Sequence, residues 1–79
     1  MDEQTARIAY DYGRAVAIRE IRADYVGSSF DEWNSECGRL WGLLIHAGAY
    51  ADEEHCVLRD EYRPYYHAGL WREAFPKGE

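Results

Sequence analysis

Apolar side chains in this chain recur at steps of three and four residues over most of its length, the period that an α-helix imposes on a buried face. β-Branched residues are few, so strands have little to draw on. The pattern breaks at Gly27-Ser28-Ser29, at Gly48-Ala49, at Pro64 and at Pro76-Lys77-Gly78. The expected fold is therefore all-α: a small single-domain bundle of three to four helices over about residues 4–25, 30–47, 53–63 and 64–75. The domain takes in residues 1–79, with 76–79 as a flexible tail.

The first helix carries two apolar stripes. Ile8, Tyr12, Ala15, Val16, Ala23 and Val26 share one face of a 100° wheel; Tyr10, Ala17, Ile18, Ile21 and Tyr25 lie roughly opposite. So small a domain has difficulty covering both, which makes the second stripe a candidate interface. Arg14 and Arg19 fall within apolar stripes and need an internal carboxylate, a snorkelled stem or a partner.

The second helix opens on Ser29-Phe30-Asp31-Glu32, which fits a capping box with Ser29 as N-cap. Phe30, Trp33, Cys37, Leu40, Trp41 and Leu44 then follow on one face. Gly38 and Gly42 lie beside them, four residues apart, as if another helix packed closely there. On this reading the second helix is central. Asp52 is placed as N-cap of a third helix with His55, Leu58 and Tyr62 facing inward, and Pro64 suits the first turn of a fourth. Tyr66, Leu70, Trp71, Ala74 and Phe75 form that fourth helix's apolar side. A single helix kinked at Pro64 is the alternative.

Charge excludes more than it assigns. Nine basic residues against 15 acidic ones give a net of −6, without the basic stripe that neutralises phosphates. Direct nucleic-acid binding is not expected, and neither is an anionic membrane surface as partner. The longest nearly uncharged apolar run, residues 41–51, is far short of the ~20 residues that span a bilayer. Met1-Asp2-Glu3 has neither the basic nor the apolar region of a secretory signal, so a cytoplasmic location with Cys37 and Cys56 reduced is expected.

Chemistry-bearing constellations are weak. Cys37, His46, His55, Cys56 and His67 are metal-ligand types, but they lack the short-spaced pairs of structural zinc sites. Asp52 and His55, three apart, make half of a carboxylate–histidine pair, and a di-metal bundle needs two. Thr5, Ser28, Ser29 and Ser35 read as caps or polar-face residues, and Cys37 reads as a buried, inert thiol. Gly38 and Gly42 sit inside a helix rather than in a phosphate loop. No catalytic residue, cofactor or metal is expected, and the protein is read as a non-enzyme.

What is left is acid and aromatic surface. Residues 24–36 and 52–61 each carry a local charge of −4. Carboxylates fixed on rigid helices imitate phosphates and occupy basic grooves. The expectation is a protein-binding module. Its most specific form is a small acidic inhibitor, of the anti-CRISPR or anti-restriction type that phages encode, blocking a basic, nucleic-acid-binding surface of a partner. That form rests on analogy with small acidic proteins as a class. The expected partner-binding residues are Asp31, Glu32, Glu36, Glu53, Glu54 and Glu61, with Tyr10, Arg14 and Tyr25 as anchors. A helix over 53–63 would set Glu54 and Glu61 on one side, ~10 Å apart. The alternative is a structural homo-oligomer or adaptor using the Tyr10/Ile18/Ile21/Tyr25 stripe, so both monomer and homodimer are open.

Overall fold

In the computed structural model, which describes residues 2–22 and 30–75, Asp2 starts the first helix. Its Oδ1 accepts the Gln4 amide at 3.1 Å and its Oδ2 accepts the Thr5 hydroxyl at 2.8 Å. The first bond satisfies an amide that the first turn leaves open, and the second ties the Thr5 side chain to the same carboxylate. Helix α1 runs Glu3–Ala17 and passes into a π-helical turn, Ile18–Arg22. The wider turn ends the 100° wheel on which the two stripes were drawn. Ala23, Tyr25, Val26 and the Ser29 cap lie outside the described residues.

Helix α2, Phe30–His46, begins and ends close to where the sequence places it. Its end is set by Gly48, whose φ of +72° is open to glycine and strained for other residues. The Gly48 amide bonds back to the Ile45 carbonyl and the Ala49 amide to that of Leu44, each at 3.0 Å. This is the paired closure of a Schellman motif, and its apolar clasp is present because Ala49 and Leu44 are both fully buried.

The helix expected over 53–63 does not form. Strand β1 (Tyr50–Asp52) pairs antiparallel with β2 (Val57–Leu58), setting Tyr50 opposite Leu58 and Asp52 opposite Val57, with an irregularity between. Asp52 does act as a cap, but of one turn: its Oδ1 accepts the His55 amide at 3.3 Å. Cys56 then adopts φ of +57°, which stops helix propagation. The hairpin also answers the end of α2, since the Arg59 amide bonds the Ala49 carbonyl at 2.8 Å and Arg59 Nε bonds that of Gly48 at 2.9 Å. A helix there would have left those carbonyls open.

Helix α3, Arg63–Ala74, has Pro64 in its first turn, as its fixed φ favours. The described residues are thus mostly helical, three helices with a two-stranded sheet rather than a clean bundle. The second helix is not central; α1 is, with α2 on one side and α3 on the other. Cys37, Leu40 and Ala15 pack with Ile8, Tyr12, Val16 and Trp33 between α1 and α2. Leu44, Ala49, Tyr50, Leu58 and Tyr62 close a second cluster over Ala6 and Ala9.

The glycine expectation inverts. Gly38 and Gly42 have open space where a Cβ would stand. The close approach is between α1 and α3: a Cβ on Gly13 would lie 2.1 Å from the Tyr66 carbonyl oxygen, and one on Gly69 2.0 Å from that of Tyr10. Both obstacles are backbone, so relief requires separating the helices. Gly13→Ala and Gly69→Ala are each expected to cost about 3 kcal/mol or more in urea unfolding. Gly38→Ala and Gly42→Ala should instead stabilise by roughly 0.5–1 kcal/mol.

Candidate partner-binding surface

The acidic residues divide between the two ends of α2. Asp31 and Glu32 are exposed in its first turn, where the helix dipole favours them. Glu36, one turn on, is gripped by both Arg39 Nε and Nη2. That bidentate contact holds its carboxyl below the ordinary 4.5. Glu53 and Glu54 lie exposed in the hairpin loop and Glu61 in the turn before α3. Glu54 and Glu61 therefore share no helix face, and the ~10 Å spacing expected of them is withdrawn.

Tyr10 and Arg14 belong to a different place, the seam of α1 with α3. Arg14 Nε donates to Glu73 Oε2 at 2.8 Å, and Arg72 Nη1 donates to the Tyr10 hydroxyl at 3.2 Å. Glu73 is buried, so Arg14 compensates a charge inside the fold. Arg19 is likewise engaged, donating to Glu20 at 2.8 Å and Asn34 at 3.0 Å, with its guanidinium 5.7 Å from the Phe30 ring centre. Tyr25 lies outside the described residues.

Sequence reasoning missed the outer face of α3. Tyr66, Gly69, Leu70 and Glu73 turn toward α1, which leaves Trp71 and Phe75 on the far side, 57% and 60% exposed. Their rings stack at 4.8 Å and 21°. The i, i+4 spacing of Trp71 and Phe75 is present in the sequence, but it does not distinguish an outward pair from one broad inward side. Ile21, Phe30 and Trp41 add exposed apolar surface elsewhere.

Between α1 and α2 lies a cleft of about 350 Å³ lined by Arg7, Asp11, Arg14, Trp33 and Glu36 among others. It carries both signs of charge and selects for neither. Cys37 is buried, and burial pushes its thiol up. Among the described residues no three His, Cys, Asp or Glu side chains gather as for a metal ion, and no helix is long and apolar enough to cross a membrane.

No protein-family model, curated protein or solved structure matches this chain.

Asp52 and His55 do meet, His55 Nδ1 lying 2.8 Å from Asp52 Oδ2. That hydrogen bond, with the His55 amide, lowers the Asp52 carboxyl below its ordinary 3.8. A lowered folded-state value contributes stability that is present above 3.8 and lost as pH falls through the lowered value. His55→Ala should return the Asp52 carboxyl toward 3.8, read by NMR titration of its side-chain carbon. The difference in Tm between wild type and variant should then shrink in acid.

Proposed function

We propose that the protein is a non-enzymatic module that binds another protein through exposed aromatic anchors, with carboxylates steering the approach of a basic surface. The observation that carries this reading is the Trp71–Phe75 stack, two large rings left more than half exposed, one in the last turn of α3 and one at its C-cap. Tryptophan in particular supplies binding energy out of proportion to its area, and a preformed stack loses little entropy on docking. The acids of the hairpin loop and the α2 start add a negative field that raises the association rate with a positive partner.

In its finer form the partner is a nucleic-acid-binding complex of the CRISPR or restriction kind, and the protein is its small acidic inhibitor. Exposed carboxylates at Asp31, Glu32, Glu53, Glu54 and Glu61 support this form. Glu36 supports it less, because Arg39 already neutralises it. The homo-oligomer reading loses ground: Ile18 is buried within the fold and the Tyr10 hydroxyl is bonded to Arg72, which leaves Ile21 as the exposed residue of that stripe among those described.

The experiment is capture of the partner from host lysate, followed by binding kinetics with three proteins of verified fold. Trp71→Ala with Phe75→Ala should weaken binding by at least about 2 kcal/mol through a faster off-rate. Lysine at positions 53, 54 and 61 should cut the on-rate and flatten its salt dependence. Such surface changes are expected to leave stability within about 0.5 kcal/mol. Unchanged kinetics in the first variant would overturn the anchor, and unchanged kinetics in the second would remove the electrostatic half and the inhibitor form with it.

A further inference from the structure

On the flank where α3 meets α1, a groove of about 330 Å³ is lined by Ala6, Tyr10 and Tyr65, with Glu3 and Arg7 beside them. Tyr10 also belongs to the next feature along the seam, since its hydroxyl accepts from Arg72 Nη1 at 3.2 Å. Tyr65 and Arg72 are seven residues apart on α3, which sets them within ~20° on one side of the helix and ~10 Å apart along it. Pro64, Ala68, Trp71 and Phe75, all exposed, follow at steps of four, three and four on the adjoining strip. Groove, arginine and ring stack therefore run side by side along one flank of α3.

The charge of this flank departs from that of the chain. From Arg63 to Phe75 the single carboxylate is Glu73, which is buried and bonded to Arg14. Arg7 is exposed and makes no ion pair or hydrogen bond among the described residues, although Glu3 stands one turn away. Arg72 is bonded to a neutral phenol, which leaves its charge uncompensated. Arg63, by contrast, is paired with Asp60 and adds nothing. In a chain of net charge −6, two uncompensated guanidinium groups thus stand on the flank that carries its most exposed aromatic rings.

We propose that this flank docks an acidic amphipathic segment of a partner protein, with apolar side chains in the Ala6/Tyr10/Tyr65 groove and on the Trp71–Phe75 stack and carboxylates on Arg7 and Arg72. The proposal rests on the aromatic anchor of the reading above and names the chemistry that covers it. The carboxylates that steer a basic surface stand elsewhere, on α2, in the hairpin loop and before α3, and none of them lines this groove. A second copy of this chain is disfavoured as occupant, because two bodies of charge −6 repel each other. Arginine suits such a contact, since it takes a carboxylate through two parallel bonds while its plane rests on an aromatic ring.

The test uses the folded full chain and two fluorescein-labelled amphipathic peptides, read by fluorescence anisotropy. One is built of glutamate, leucine and phenylalanine; the other has lysine in place of every glutamate. The acidic peptide is expected to bind saturably and to weaken as salt rises. Arg7→Gln, at an exposed position, and Arg72→Gln should each weaken it about two- to fivefold, the range of an exposed charge pair. Trp71→Ala with Phe75→Ala should weaken it about tenfold or more. Absence of binding overturns the proposal, as does binding that neither arginine variant alters; both results leave the aromatic anchor to the kinetics of the captured partner. Binding that needs the arginines but not the rings overturns the anchor, and the amphipathic seat with it. Preference for the lysine peptide, lost in the ring variant, sustains the anchor and overturns the acidic occupant. Concentration-dependent self-association of the free protein, lost in the ring variant, makes a second copy the occupant and overturns the proposal as well.

Discussion

Gly13 and Gly69 let α1 and α3 meet backbone to backbone, and the rest of the domain is arranged around that contact. Neither helix has room for a single added carbon at the crossing. Ala6, Ala9 and Ala17, all buried, continue the small face of α1 on either side of Gly13. Contacts advance together along both helices, from Asp2 with Tyr62 to Arg14 with Glu73, so the two run in broadly the same direction. Helices of like direction cannot be joined by a short turn. The chain between them must travel back, and α2 with its hairpin is that return.

A crossing built from glycine and alanine gives close packing but buries little side-chain volume. Leu44 is the largest side chain to be fully enclosed. Seven tyrosines and three tryptophans therefore outnumber the interior sites that would take them. Tyr50 and Tyr62 go in; Trp71, Phe75, Phe30 and Trp41 stay at or beyond the rim. The aromatic excess that in another small domain would fill the core is here displaced outward by the backbone contact. Exposed rings and the tight seam are two results of one choice of residues.

Which parts of this were legible follows from whether the signal is local. Gly48 closing α2 and Pro64 opening α3 act through their own backbone preferences, and both stand where the sequence puts them. The Cys37/Leu40/Leu44 face survives because α2 buries one side only. The hairpin was hidden because Asp52 does what an N-cap does for one turn, and only Cys56 and the open carbonyls of Gly48 and Ala49 turn the chain back. Glycines were ambiguous for a different reason. Gly38/Gly42 have the tidy four-residue spacing, whereas Gly13 and Gly69 are far apart in sequence and acquire meaning only when their helices are paired. The steps Ala6, Ala9, Gly13, Ala17 do carry a signal, but a helical wheel marks a buried face by its large apolar residues, and these are small. At the candidate surface, residue exposure was legible for Asp31, Glu53, Glu54 and Glu61, but their relative placement was not, since it depended on a helix that does not form.

The electrostatic character of the surface comes from where the arginines go. Arg14 is committed to Glu73, Arg19 to Glu20 and Asn34, Arg39 to Glu36, Arg59 to the Gly48 carbonyl, Arg63 to Leu58 and Asp60, and Arg72 to Tyr10. Each joins elements or neighbouring turns, a task for which a planar, multiply donating group is suited and a lysine is not. Their carboxylate partners are Glu20, Glu36, Asp60 and Glu73, and other surface acids are left without such an offset. Asp31, Glu53, Glu54 and Glu61 form no ion pair among the described residues, so the net charge of −6 is expressed mainly where they stand, at the two ends of α2. At physiological salt such fields reach only about 8 Å, so each unpaired carboxylate steers a partner at close range. On the proposed reading these carboxylates steer the approach, and the aromatic stack at the end of α3 fixes the final pose.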